Sequence, residues 1–356
     1  MISLETSICQ LLKVDYPIIQ AGMAGGPTTV ELVVTVSEAG GLGTLGAAYM
    51  NPDTLRQTIR EIQSKTQKTF GVNIFAAPEK DDFSRLAEVQ KALSPFRSHL
   101  EIHEIQSSYQ SPDWSDEQFT ICIEEGVPVI STAFGCLSAE QMKVAKERQV
   151  KIVTMVTTVE EAKQAEASGA DAIVAQGSEA GGHRSTFSLD RHPAGARIGT
   201  LSLVPQIADA VGVPVIAAGG IVDGRGLVAS LILGAQGVQI GTLFVAAKES
   251  GAHVAYKQAI FESNEESTVV TKSFSGRPAR GIKNLFIQKF EKSGVQPLPF
   301  PSQNTLTKDI RTAAAKANDS AYMSLWAGQS TRSLTEEIGA AKIVRTIVEE
   351  AKEILR

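Results

Sequence analysis

Apolar residues in this chain gather into short runs, and between the runs they fall to a helical spacing. Apolar runs bounded by glycine or proline predict buried strands at 17–20, 43–47, 71–75, 128–133, 152–156, 172–176, 214–218 and 238–242. The intervening segments 29–38, 52–64, 139–149, 159–167, 203–210 and 226–233 carry the spacing of one-sided helices. Strand–helix alternation of this kind means a parallel sheet covered by helices. About eight such units suit a closed (β/α)₈ barrel. A doubly wound open sheet remains the competing architecture at this level.

Two regions break the rhythm. Residues 77–116 are long and polar, with Pro78, Pro95 and Pro112, and read as an insertion after the third strand with some helix of its own. From about Lys248 the pattern turns helical and irregular, with Pro278, Pro297, Pro299 and Pro301 in loops. The expected division is a barrel over 1–248 and a smaller, mainly helical extension over 249–356 that includes a tail returning to the barrel. Such an extension covers the catalytic face or forms an oligomer contact, and a homo-oligomer stays open.

Composition narrows the partners. A net charge of -5, without a dense block of Lys and Arg, argues against nucleic acid. No apolar run approaches the roughly 20 residues of a membrane span. Met1 leads into a polar, mixed start without the pattern of a signal peptide. Cys9, Cys122 and Cys136 are scattered, with neither disulfide-framework nor zinc spacing. A reduced cytoplasmic setting is expected.

The glycines differ in meaning. Gly41-Leu42-Gly43-Thr44-Leu45-Gly46 matches G-x-G-x-x-G, but it follows a helix and leads into a strand, the reverse of a dinucleotide turn. It reads as a helix stop. Ala217-Ala218-Gly219-Gly220 has the right polarity, a strand running into a helix, and Gln239-Ile240-Gly241-Thr242 repeats it one unit later. In barrels a phosphate site is often built from the loops after the seventh and eighth strands. Amide side chains also fall at strand ends: Gln20, just before Ala21-Gly22-Met23, then Asn73 and Gln176. Their donors and acceptors suit the edge of a flat heterocycle.

The most informative stretch is Gln176-Gly177-Ser178-Glu179-Ala180-Gly181-Gly182-His183-Arg184. A strand ends in a loop whose glycines allow close backbone approach and whose histidine is placed for proton transfer. Of the five histidines only His183 has glycines before it and a strand behind it. Glu179 and Arg184 read as loop-positioning charges, with Arg184 able to assist anion binding. His183, Asp190 and His192 fit no standard metal-ligand spacing. Cys136 at a strand end reads as a small buried thiol rather than a nucleophile, since no base is paired with it.

The runs PIIQAGMAGG, GGLGTLGA, FGVNIF, AQGSEAGGHRS, PVIAAGGIVDGRG and GVQIGT resemble the nitronate monooxygenase family, formerly called 2-nitropropane dioxygenases. Trp326-Ala327-Gly328-Gln329-Ser330 resembles its tail motif. The resemblance implies an FMN-dependent TIM barrel, similar also to FMN enoyl reductases. It implies that Asn73 and Gln176 bond the flavin's polar edge, with Ala21, Gly22 and Met23 beside the ring. By the same resemblance Gly181, Gly182, Gly219, Gly220, Gln239, Ile240, Gly241 and Thr242 hold the phosphate, and His183 faces the flavin as catalytic residue. Ser185 stands where many members have glycine, and Phe134-Gly135-Cys136 lies where members vary.

The implied reaction is oxidation of an alkyl nitronate, such as propionate 3-nitronate, by FMN and O₂ to a carbonyl compound and nitrite, a detoxifying step. Two alternatives stand beside it. One is an NAD(P)H-dependent FMN reductase of an enoyl thioester or quinone. The other, of a different class, is a flavin-free phosphate-binding barrel isomerase or lyase.

Overall fold

The computed structural model describes residues 3–76, 80–104, 106 and 108–356. The strands are β1 (Ile18–Gln20), β2 (Gly43–Gly46), β3 (Phe70–Phe75), β4 (Val129–Ala133), β5 (Lys151–Val156), β6 (Ala172–Gln176), β7 (Gly182–His183), β8 (Val215–Ala218), β9 (Gly237–Ile240), β10 (Thr268–Thr271) and β11 (Ala279–Ile282). All but β7, β10 and β11 form one parallel sheet in the order β1-β9-β8-β6-β5-β4-β3-β2. A parallel bridge between Ile19 and Leu42 joins its two ends, which excludes the open sheet. The barrel is closed.

That seam is short, and a side chain extends it. The Gln20 amide oxygen accepts the Thr44 N–H at 3.0 Å, and its Nε2 donates to the Thr44 carbonyl at 3.2 Å. Gln20 therefore acts as a surrogate length of strand. Its amide is spent on the wall and is not presented to a ligand, a correction to the reading of all strand-end amides as pocket groups.

Alternation along the strands separates two apolar layers. Ile19, Val129, Val153, Val174, Ile216 and Ala218 pack inside the barrel, where Ile8 and Leu12 of the helix Ser7–Leu12 join them. Ile18, Ile173, Ala175, Ala217, Val238 and Ile240 face outward onto the helices. Thr29, Asn51, Ser138, Thr158 and Asp223 each cap one of those helices by accepting a backbone N–H. The strand predicted at 238–242 ends early. Gly241 turns to φ -108°, ψ -73°, and a short helix begins at Thr242.

Within the region 77–116 the chain forms the helix Leu86–His99, while Ala77, Pro78, Glu79 and positions 105 and 107 lie outside the described residues. Residues 249–339 form a second apolar cluster, with Phe274, Phe286, Phe290 and Leu325 at its centre and Val89, Leu93 and Phe96 packed into it. The helix Ala340–Ile354 then returns to the barrel. Its Ala340, Ile343, Val344, Ile347 and Val348 join the layer that covers β1, β6, β8 and β9, so it is the barrel's eighth wall helix. No helix among the described residues is long and apolar enough to cross a membrane.

Candidate active site

The inward alternation that places Val174 and Ile19 in the barrel also turns Asn73, Ser131, Gln176 and Gln239 inward, at the carboxyl ends of their strands. Asn73 Nδ2 donates to Ser131 Oγ at 2.9 Å, which fixes the amide across β3 and β4. Gln239 is only 8% exposed, yet its amide has no hydrogen-bond partner among the described residues. A nearly buried amide without a partner is costly unless a ligand supplies one. Ile240, in contrast, packs outward and its carbonyl accepts the Ala21 N–H, so it supplies neither a side chain nor a free carbonyl to the mouth.

Gln176 shapes the histidine loop. Its Nε2 donates to the His183 carbonyl at 2.9 Å and its Oε1 accepts the Ser185 N–H at 2.9 Å. From the other side Gly182 and His183 pair antiparallel with Arg280 and Ala279 of β11. Arg184 is fully buried and donates to the carbonyls of Gln176, Gly177 and Ala196 at 2.8, 2.8 and 3.2 Å. Those bonds occupy its guanidinium, so Arg184 holds the loop and does not bind an anion. Glu179 does likewise. Its carboxylate accepts the N–H and hydroxyl of Thr200 at the start of the helix Thr200–Ala208.

His183 is thereby held on a rigid edge with its half-buried ring in a recess. The ring centroids of Trp326, Phe134 and Phe300 lie 5.2, 6.0 and 6.3 Å from it. Its Nε2 is 2.8 Å from Ser275 Oγ. Burial, reinforced by the Arg277 and Arg311 charges, pushes the imidazole down to about 3, so the ring is neutral at pH 7. The Arg277 guanidinium carbon sits 3.9 Å from the centre of the Phe134 ring. Phe134 has φ 72°, a left-handed conformation rare for a bulky residue, and its N–H donates to Ser185 Oγ at 3.0 Å. Ser185 and Phe134, far apart in sequence, thus touch each other. Cys136 packs toward the outer helices and burial raises its thiol, leaving it neutral and unsuited to nucleophilic attack.

The glycine turns meet one another at the same mouth. Gly219 and Gly220 have φ of 116° and 77°. The tail closes over them: Ser330 Oγ donates to the Gly220 carbonyl at 2.9 Å, and the Gly328 N–H donates to Thr242 Oγ1 at 2.9 Å. A Cβ on Gly181 would lie 2.6 Å from the Ala327 carbonyl carbon, so only glycine fits there. The N–H groups of Gly220, Gly241 and Thr242 have no acceptor among the described residues. Ala21, Gly22 and Met23 run along the rim, with Gly22 against Asn73 and Met23 at the junction of barrel and extension.

Ser275, Arg277, Phe300 and Arg311 are members of this site that the sequence did not single out. They lie in the irregular region after β9, where no strand end or periodicity marks them. Ser275 and Arg277 reach the site through the pairing of β11 with β7, which no local sequence pattern predicts.

A closed parallel barrel with unsatisfied N–H groups on two glycine turns and a neutral histidine at its carboxyl mouth is built as an enzyme acting at that mouth. The chain belongs to the nitronate monooxygenase family, an oxidoreductase family whose sequence model matches residues 5–350. A Staphylococcus saprophyticus protein named probable nitronate monooxygenase is 45% identical over 353 residues, 99% of each chain. A Staphylococcus aureus protein of the same name is 43% identical over 353 residues, again 99% of each chain. Among solved structures, nitroalkane oxidase from Streptomyces ansochromogenes has a TM-score of 0.89 at 37% identity, with 97% of this chain and 98% of that one covered. FabK from Thermotoga maritima has a TM-score of 0.78 at 33% identity, covering 99% and 98%.

Proposed function

We propose that this protein oxidises alkyl nitronates, propionate 3-nitronate among them, with FMN and O₂, giving a carbonyl compound and nitrite in the cytoplasm. The observation that carries the reading is His183. It is neutral, held by Ser275, walled by aromatic rings and flanked by the positive charges of Arg277 and Arg311. An anion with delocalised charge and an apolar body suits such a recess.

The residues present fit FMN. The acceptor-less N–H groups of Gly220, Gly241 and Thr242 would take its phosphate, with Gly181, Gly182 and Gly219 permitting close approach. The unpartnered Gln239 amide, Asn73 and the remaining N–H of Gln176 would hold polar atoms of the cofactor, with Ala21, Gly22 and Met23 along its side. Ile240 would contribute only by setting the strand end. When bound, FMN supplies the redox chemistry, and the protein supplies orientation and electrostatics.

The chain's own part is binding and proton placement. Ser275 Oγ is 3.1 Å from the Arg277 carbonyl and accepts the Arg277 N–H at 3.3 Å. With its hydroxyl hydrogen given to that carbonyl, Ser275 accepts from His183 Nε2–H. Nδ1 is then left with a lone pair. In that tautomer His183 can take the α-proton of a neutral nitroalkane at Nδ1. A preformed nitronate needs no such step and is held by the positive surroundings. The low basicity of the ring makes nitronates the better substrates.

An anaerobic titration with ethyl nitronate, followed by visible absorbance, tests the reading. Loss of the oxidised flavin spectrum, restored by O₂, is expected. The likeness to FabK supports a second reading, a reductase using NADH or NADPH. A spectrum unmoved by nitronate but lost with NADH or NADPH would replace the first reading with that one.

A further inference from the structure

Among the described residues, those other than glycine with positive φ are Lys13, Glu101, Phe134, Gln149 and Asn318. Lys13 caps the helix Ser7–Leu12, and Glu101, Gln149 and Asn318 each lie just beyond the C-cap of a helix, where a left-handed residue is ordinary. Phe134 has no helix before it. It follows β4, is buried, and carries a bulky ring at φ 72°. Such a conformation persists only where the surroundings over-determine it.

Ser185 supplies the constraint. Its hydroxyl donates to the Met155 carbonyl of β5 at 2.9 Å, and the same oxygen accepts the Phe134 N–H at 3.0 Å. No backbone carbonyl among the described residues takes that N–H instead. Ser185 is itself buried, and its own N–H is fixed by the Gln176 side chain at 2.9 Å. One serine thus ties together the carboxyl ends of β4, β5 and β6.

The ring placed in this way is part of the recess. Its centroid lies 6.0 Å from that of His183, 4.4 Å from Phe75 and 6.0 Å from Phe300. The Arg277 guanidinium carbon sits 3.9 Å from the centre of the same ring, and Arg277 Nη2 donates to the carbonyl of Thr186, the residue after Ser185. Two supports of the Arg277 charge therefore depend on Ser185, one through its hydrogen bond and the other through its chain.

We infer that Ser185 is a positioning residue for the anion-binding recess: by pinning the Phe134 backbone in its left-handed conformation, it seats the ring that carries the Arg277 charge beside His183. This rests on the proposed nitronate oxidation, and adds to it a residue that acts through Phe134 rather than on the substrate. Without the hydroxyl the Phe134 backbone relaxes to an ordinary conformation, and the ring and the guanidinium shift with it.

The test is a double-mutant cycle of S185A, F134A and the double variant, with ethyl nitronate as substrate. S185A should raise KM by about 10-fold, the worth of a hydrogen bond whose buried donor is left unpaired. Its kcat should change far less, because the seat of the anion is lost and the later steps are not. In the F134A background the same serine change should cost almost nothing. S185C, which keeps the volume and weakens the acceptor, replaces S185A if the latter does not fold. Equal losses in both backgrounds, or a loss in kcat with KM unmoved, overturn the inference.

A spectroscopic readout is independent of turnover. The His183 ring is close enough to Phe134 for its protons to feel that ring's current. In protein labelled at histidine, the His183 signal, identified by its loss in His183→Asn, should move in S185A and in F134A. Once Phe134 is alanine, S185A should move it no further. That result with no nitronate oxidised would keep the positioning of the recess and remove the oxidation reading. Oxidation accompanied by additive shifts would do the reverse.

Discussion

The imidazole Nε2 of His183 and the hydroxyl of Ser275 meet at 2.8 Å across 92 residues of sequence. The contact is made because β11 pairs with β7, which brings the segment after β10 onto the histidine loop. The histidine's position is set by the barrel, and its proton by the extension.

That division separates two activities. His183→Asn removes the proposed base but leaves the positive surroundings of the recess. Activity on neutral nitroalkanes should fall by about 100-fold or more, the usual worth of a positioned base. Activity on preformed nitronates should fall far less. Steady-state kcat/KM on nitroethane and ethyl nitronate measures both, and equal losses would sink the assignment.

The depressed imidazole also sets a pH dependence. Its native value of about 3 lies below the ordinary value near 6.5. Above about pH 6.5 neither the folded nor the unfolded chain protonates this group, and its contribution to stability is complete. Below that, the unfolded chain takes up a proton the native ring refuses, and the contribution is lost progressively as pH falls toward about 3. Urea midpoints across this window should fall less steeply for His183→Asn than for the unaltered protein. Parallel slopes would show that the ring protonates normally.

Arg184 predicts a different failure. Replacement by Met would take the guanidinium from the carbonyls of Gln176 and Ala196, at about 1–3 kcal/mol for each buried acceptor left unpaired, while the Gly177 carbonyl keeps the Ala180 N–H. Thermal unfolding should drop by several degrees. The proposed flavin should be lost before global unfolding, because the same carbonyls shape the loop beneath the glycine turns. A variant of unchanged Tm would mean that the loop keeps its shape without the guanidinium.

The strands and wall helices were readable because burial writes itself locally. Val174 and Ala175 are apolar because one faces the lumen and the other the helices, and Gly177 stops the run. Gly40, with φ 90°, ends a helix before β2, as its place ahead of an apolar run indicated. The failures have physical causes too. Gln20 resembles a pocket amide in sequence, but only the closure at Leu42 shows it to be part of the wall. Arg184 holds its loop as its place in sequence suggested, and only the anion-binding alternative fails, because three carbonyls from two loops fix its direction. Ser275 and Arg311 owe their roles to long-range pairing and packing, which leave no periodic trace.

The tail makes its own prediction. Gly181→Ala would force a methyl against the Ala327–Gly328 peptide, a backbone neighbour that cannot turn aside. The segment 326–330 should lift away. Limited proteolysis should then cut there, and affinity for the proposed FMN should fall by about 10-fold or more, consistent with a loss near 1.4 kcal/mol. Resistance to cleavage equal to that of the unaltered protein would show that the tail is not held by this contact.

The wall helix Ala340–Ile354 follows β9 only after the whole capping region has been made. During synthesis, therefore, the flanks of the helices Val30–Glu38 and Gly224–Ile232 against which it packs wait uncovered until the last wall helix clears the ribosome. The region that screens the catalytic mouth is meanwhile strung as a loop between a growing barrel and its final stave. Assembly ends, as the hoop tightens, with cover and vessel completed in a single act.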